Sequence, residues 1–378
     1  MTDTASHRGP MLPRNCGSEM ESRLPTPWFF VPCGKVLLTS VLAVFFLGAV
    51  GWAHPQSDRA DVALQQGQRA LDAGDIEAAT RKLEEALELA PERVEIARAL
   101  MLAYLQGRRP AQAAELGREA VARWANDAVL RHWLGLAYFQ SGRNQEALEQ
   151  LQQAVKLAPR NVDIHHDLAL VHLAERQHEA AARALEQYLK RNPRSALDRV
   201  LLGRAYLNSN RTMQAIAEFQ AALRLDPRVP HGHYHLGFAF ASLGRNREAV
   251  AEYKREIAAG EPNAEALYQL GHTLLELGEW NAAADFLKQA TELDPRRADA
   301  HYDYGKARLL LGDVTSAIAL LERALELDPT DPSAHYQLAR AYDKSGDTEA
   351  ARLHRQQFSE LKARQQQTGG MATGRVRE

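Results

Sequence analysis

The chain has 378 residues, with 46 basic against 48 acidic side chains and a formal net charge of −2. That balance argues against a nucleic-acid partner, which would call for a basic face or stripe, and it predicts only modest long-range steering of any partner. The two cysteines, Cys16 and Cys33, both precede the apolar run described next, so the chain beyond it offers no disulfide and no thiolate metal site.

Residues 1–35 are rich in Pro, Ser, Arg and Gly, and Pro10, Pro13, Pro25, Pro27 and Pro32 work against a regular helix. The stretch reads as a disordered leader, with Met1 and Met20 both available as starts. Val36 to Ala53 is an uncharged apolar run of 18 residues. As a helix it would span about 27 Å, close to the thickness of a bilayer core. Gly51 and Ala53 are small residues at signal-peptidase spacing ahead of His54. Two readings stand: a cleaved secretory signal, or a retained N-terminal transmembrane anchor. Lys35 abuts the run, which favours an inside N-terminus and export of everything downstream. Residues 54–59 then read as a short polar link.

From Ala60 to Gln365 one pattern recurs every 34 residues without insertion or deletion. Its fullest copy runs from Ala128 to Asn161. Leu130, Leu134, Ala137 and Tyr138 fall on one face of a first helix, and Ala147, Leu148, Leu151, Ala154 and Val155 on one face of a second. Gly142 stands where the first helix must stop and Pro159 just past the second. The position of Ala147 is alanine in all nine copies: Ala79, Ala113, Ala147, Ala181, Ala215, Ala249, Ala283, Ala317 and Ala351. The position of Gly135 is small throughout except at Met101. The turn glycine recurs as Gly74, Gly244, Gly278, Gly312 and Gly346, with Asn210 as a fitting substitute. Length alone would suit about two or three globular domains. Stacked repeats need no single large core and override that expectation. The prediction is eighteen helices of about 12 to 15 residues in nine antiparallel pairs with no strand, followed by a disordered tail over 366–378.

Leu134-Gly135, Tyr138, Ala147, Leu151, Ala154 and Pro159 resemble the tetratricopeptide repeat, and the resemblance covers about four fifths of the chain. It implies an all-α, right-handed superhelical solenoid of antiparallel helix pairs. First helices would line a concave groove and second helices the convex side. It also implies a binding scaffold rather than an enzyme, with no cofactor. The basic and asparagine clamp of repeat domains that hold chaperone tails is not matched. Nor is the cysteine-rich zinc module of anchored regulators of lipopolysaccharide assembly, because the tail holds no cysteine.

In this family the position of His132 points into the groove. Along the chain it reads Leu64, Arg98, His132, His166, Val200, Tyr234, Tyr268, Tyr302 and Tyr336. Four residues on, over the same helix face, stand Phe238, His272, Lys306 and Arg340. These eight C-terminal residues, the four tyrosines with Phe238, His272, Lys306 and Arg340, are the candidate partner-binding groove. Tyrosine is also common at this point of the family's repeat, so the ladder reads either as ordinary repeat composition or as a peptide groove with rigid aromatic contacts. His231, His233 and His235 include an i, i+4 pair of possible metal ligands, but no third ligand is set locally and His233 follows the repeat register. No phosphate loop, nucleophile elbow or acid–base constellation is present. The expected function is a non-enzymatic protein-interaction scaffold of a bacterial-type cell envelope, exported or anchored through 36–53, binding a protein or peptide. The alternative is a non-catalytic targeting or assembly subunit of an envelope enzyme system, such as a glycosyltransferase complex.

Overall fold

The structure, a computed structural model, describes residues 55–260 and 263–373. The leader and the apolar run Val36 to Ala53 lie outside the described residues. So does the end of the chain beyond Thr373. Among the described residues there are eighteen α-helices and no strand. No helix among them is long and apolar enough to cross a membrane.

The helices fall into two compact units, one ending at Arg191 and one beginning at Asn192. The first unit holds α1 (Pro55–Asp72), α2 (Ile76–Leu89), α3 (Val94–Gln106), α4 (Pro110–Arg123), α5 (Ala128–Gln140), α6 (Asn144–Leu157), α7 (Val162–Ala174) and α8 (His178–Leu189). The second holds α9 (Ala196–Asn208), α10 (Thr212–Leu225), α11 (Gly232–Ser242), α12 (Asn246–Ala259), α13 (Ala264–Glu276), α14 (Trp280–Leu293), α15 (Ala298–Leu310), α16 (Val314–Leu327), α17 (Pro332–Ser345) and α18 (Thr348–Thr373). Within each unit every helix packs on the next, and each first helix also touches the first helix of the following repeat. Successive second helices make no comparable contact. The first helices are therefore the inner layer of each unit.

The local causes repeat with the sequence. Polar side chains close the N-termini of first helices: Asp127 accepts from the N–H groups of Val129 and Leu130 at 3.0 Å, and Asn161, Asn263 and Asp331 act alike. All nine alanines from Ala79 to Ala351 are fully buried. Opposite them the small position sits against a large residue of the second helix. A Cβ on Gly203 would lie 2.5 Å from the ring of Phe219. Where Met101 breaks the series, the size is exchanged rather than added. Gly117 stands in the place of the large residue, and its missing side chain leaves room for the Met101 methyl. All nine intra-repeat turns carry a left-handed residue, glycine at six of them. Asn210 holds one as expected, and Arg108 and Arg176 hold the other two.

Three boundaries differ from the sequence reading. The polar link over 54–59 is largely taken into α1, which opens at Pro55, a residue suited to a helix start. The last helix continues to Thr373 and takes in part of the stretch expected as a tail, where Gln366, Gln367, Met371 and Ala372 are good helix formers although Gly369 and Gly370 are not. Helix α11 is two residues shorter than the first helices α9 and α13 because Val229 offers no capping acceptor and His231 is left-handed, so the helix opens only at Gly232.

Candidate functional site

The inner face of the second unit carries the eight candidate residues, on α11, α13, α15 and α17. Their exposure rises along the chain. Tyr234 and Phe238 are buried, Tyr268, Tyr302 and Lys306 are half-buried, and Tyr336 and Arg340 are exposed. The cause lies in the next repeat. The tyrosine position faces the seam between successive first helices, and the start of the following helix is laid over it. Tyr234 donates its hydroxyl to Glu265 of α13 at 3.1 Å. Tyr268 lies under the Arg297 guanidinium, 4.3 Å from the ring centre, and burial pushes its phenol pKa far up. Arg297 is itself held by Glu265 and by Asp299. Tyr336 belongs to the last first helix among the described residues. It packs on Phe358 of α18 with ring centres 5.5 Å apart and stays 47% exposed.

The second row, four residues on, is cationic after Phe238. His272 contacts Asp303 of α15 through Nδ1 at 2.7 Å. Burial opposes its protonation, but the Asp303 carboxylate outweighs burial and holds the imidazole above the usual histidine pKa. Lys306 is close enough to His272 to act on that ring electrostatically. Arg340 lies 5.9 Å from the ring centre of Tyr336 and donates to Gln337 at 3.1 Å. One residue of this surface escaped the sequence reading. Lys344 is exposed, lies one turn beyond Arg340, and reaches back to the Leu309 carbonyl of α15 at 3.3 Å. Its spacing from Tyr336 and Arg340, i, i+4 and i+8, was the signal that could have found it.

In the first unit the same inner position is tied up within the chain. Arg98 pairs with Asp127. His132 and His166 both contact Asp167, at 2.6 and 3.2 Å. Burial raises the Asp167 pKa, and the two imidazoles outweigh it and hold the carboxyl below its ordinary range.

The three histidines of the metal candidate take separate partners. His231 caps α11 and lies edge-on to His235, ring centres 6.3 Å apart, with its Nδ1 3.7 Å from Glu256. His233 contacts Glu252 at 2.6 Å. His235 stacks on Phe219, with ring centres 5.6 Å apart, and its Nε2 is buried without a hydrogen bond. Among the described residues no group of three or more His, Cys, Asp or Glu could hold a metal ion.

A sequence model of the tetratricopeptide repeat matches residues 64–128, 200–264 and 268–332. A TPR repeat model matches 135–175, and a further tetratricopeptide repeat model matches 320–353. No curated protein matches the sequence. Among solved structures the chain is similar to YrrB, described as a TPR protein with an unusual peptide-binding site, at 22% identity over 48% of this chain and 93% of that one, with a TM-score of 0.45. It is similar to MamA of Desulfovibrio magneticus RS-1 at 24% identity, covering 44% of this chain and 95% of that one, with a TM-score of 0.42. A tetratricopeptide repeat protein of Parabacteroides merdae is similar at 16% identity over 68% of this chain and 98% of that one, with a TM-score of 0.47.

Proposed function

The chain belongs to the tetratricopeptide repeat family, and we propose that it is a non-enzymatic scaffold that holds a segment of another protein against the inner face of its second unit. One observation carries this reading. On α17 the inner face leaves Tyr336, Arg340 and Lys344 exposed in one stripe, beside half-buried Tyr302 and Lys306 on α15. Aromatic area with a polar tip, flanked by cations, suits a peptide segment better than a reacting small molecule. The proposal extends to place. The apolar run Val36 to Ala53, with Lys35 before it, supports export or anchoring, with the repeats outside the cytoplasm in a cell envelope.

A photoreactive phenylalanine at position 302 or 336 tests the groove. The control is the same probe at Met213, which is 64% exposed on a second helix. The partner should crosslink from 302 or 336 and not from 213. Crosslinks from 213 alone would move the binding surface to the second-helix layer.

A further inference from the structure

The groove reading leaves open what kind of segment binds, and the ion pairs of the second unit narrow it. On the inner face of α13, α15 and α17, the carboxylates already have cations within the chain. Glu265 and Asp299 are held by Arg297. Asp303 is held by His272, which also lies 3.8 Å from Glu276. Asp343 is turned to Arg355 of α18. The cations are not matched in return. Among the described residues, Arg340 contacts only the Gln337 amide and the Tyr336 ring, Lys344 contacts only the Leu309 carbonyl, and Lys306 is in no ion pair. A chain with nearly balanced total charge thus carries a local row of cations without counter-charges, bordered by tyrosines.

We propose that the occupant of this groove is an acidic, extended segment of another protein, whose carboxylates meet Lys306, Arg340 and Lys344 while its backbone lies along Tyr302 and Tyr336. The inference rests on the groove reading. Neighbouring packed helices stand about 8–10 Å apart, and an extended chain rises about 3.3 Å per residue, so carboxylates two or three residues apart would reach successive cations. His272, biased toward its charged form by Asp303, extends the row by one repeat. A nucleic acid fits less well, because the row is short and the remainder of this face pairs its own charges.

A random dodecapeptide library panned against the full chain provides the probe, with an oligothymidylate as competitor. Selected peptides should be rich in Asp and Glu. They should bind more weakly as salt rises. They should lose at least tenfold in affinity to the combined variant Lys306→Gln, Arg340→Gln, Lys344→Gln. Arg340 and Lys344 are exposed and Lys306 is half-buried, and the variant's circular dichroism and melting point should match the parent. Neutral or basic peptides that still lose binding with Tyr302→Ala and Tyr336→Ala would overturn the acidic occupant and keep the groove. Acidic peptides indifferent to the cation variant would overturn the proposed row. Peptides indifferent to both variants, or no selected peptide at all, would overturn the groove as well. An oligothymidylate that outcompetes the acidic peptides would replace a protein partner with a nucleic acid.

Discussion

Arg108 and Arg176 sit in the left-handed region, at φ 53° and 55°, where six of the nine turns use glycine. The backbone hydrogen bonds around them match those of a glycine turn. Arg109 N–H donates to the Tyr104 carbonyl at 2.8 Å, just as Arg143 N–H donates to Tyr138 at 2.9 Å across Gly142. The turn geometry is imposed by the array, and each arginine bears a strain of about 1–2 kcal/mol. Glycine recovers that strain but loses more chain entropy on folding. Arg108→Gly and Arg176→Gly should therefore each stabilise by roughly 0.5–1 kcal/mol, read as a raised urea midpoint, while Gly244→Ala should lower it. These turns show where sequence reading stops. Gly142 and Asn210 announce a left-handed residue by type; arginine does not, and only the repeat register locates it. His235 makes a second prediction. Burial, with the nearby charges of Arg204 and His231, holds its pKa well below the usual histidine value. Unfolded His235 takes up a proton near pH 6.5 and the folded side chain does not. The unfolded state then binds more protons, so stability falls as pH drops below about 6.5. His272, whose pKa is raised, acts oppositely: its contribution is present in acid and is lost as pH rises through its folded pKa. Urea midpoints at about pH 7.5 and 5.5 should therefore converge in His235→Leu relative to the parent.

At the scale of the helix, pairing is decided by size at two facing positions. Six second helices put a large side chain against a glycine of the first, and α3 with α4 reverses the order through Met101 and Gly117. Gly117→Leu alone should overpack against the Met101 methyl and cost about 1–3 kcal/mol. Adding Met101→Gly restores the order found elsewhere and should recover most of the loss, a coupling that a double-mutant cycle measures directly. Ala249→Leu has no such compensation, since Ala249 is fully buried, and should cost about 1–3 kcal/mol in a chemical melt. The helix pairs and their buried alanines were legible in the sequence because both depend on contacts within one 34-residue unit. The late start of α11 was not. It follows from Val229 and a left-handed His231 together, and neither residue alone marks it.

At the scale of the molecule, the candidate groove was legible by position and not by exposure. Tyr234, Tyr268, Tyr302 and Tyr336 share one register, but how much of each ring remains free depends on what the next first helix lays over it. Glu265 and Arg297 do this for the first two, and such contacts between repeats leave no local mark in the sequence. The double variant Tyr302→Ala, Tyr336→Ala should accordingly weaken partner binding at least tenfold with helical content intact. Tyr234→Ala should instead lower the melting temperature through its buried ring. The proposal of export is tested separately by a reporter fused after Glu378, expected to be active only outside the cytoplasm, and by mass spectrometry of the mature N-terminus. A cytoplasmic protein that retains Met1 would sink it. The unbroken register of the nine buried alanines has one more consequence, for the gene rather than the protein. Because all nine alanines are buried at the same point of the register, unequal crossing-over between two repeats of the usual size order removes or adds a whole helix pair and leaves the remaining alanines buried. Alleles with one repeat more or fewer should therefore still encode foldable chains, and the number of repeats is a trait that recombination can change in whole steps.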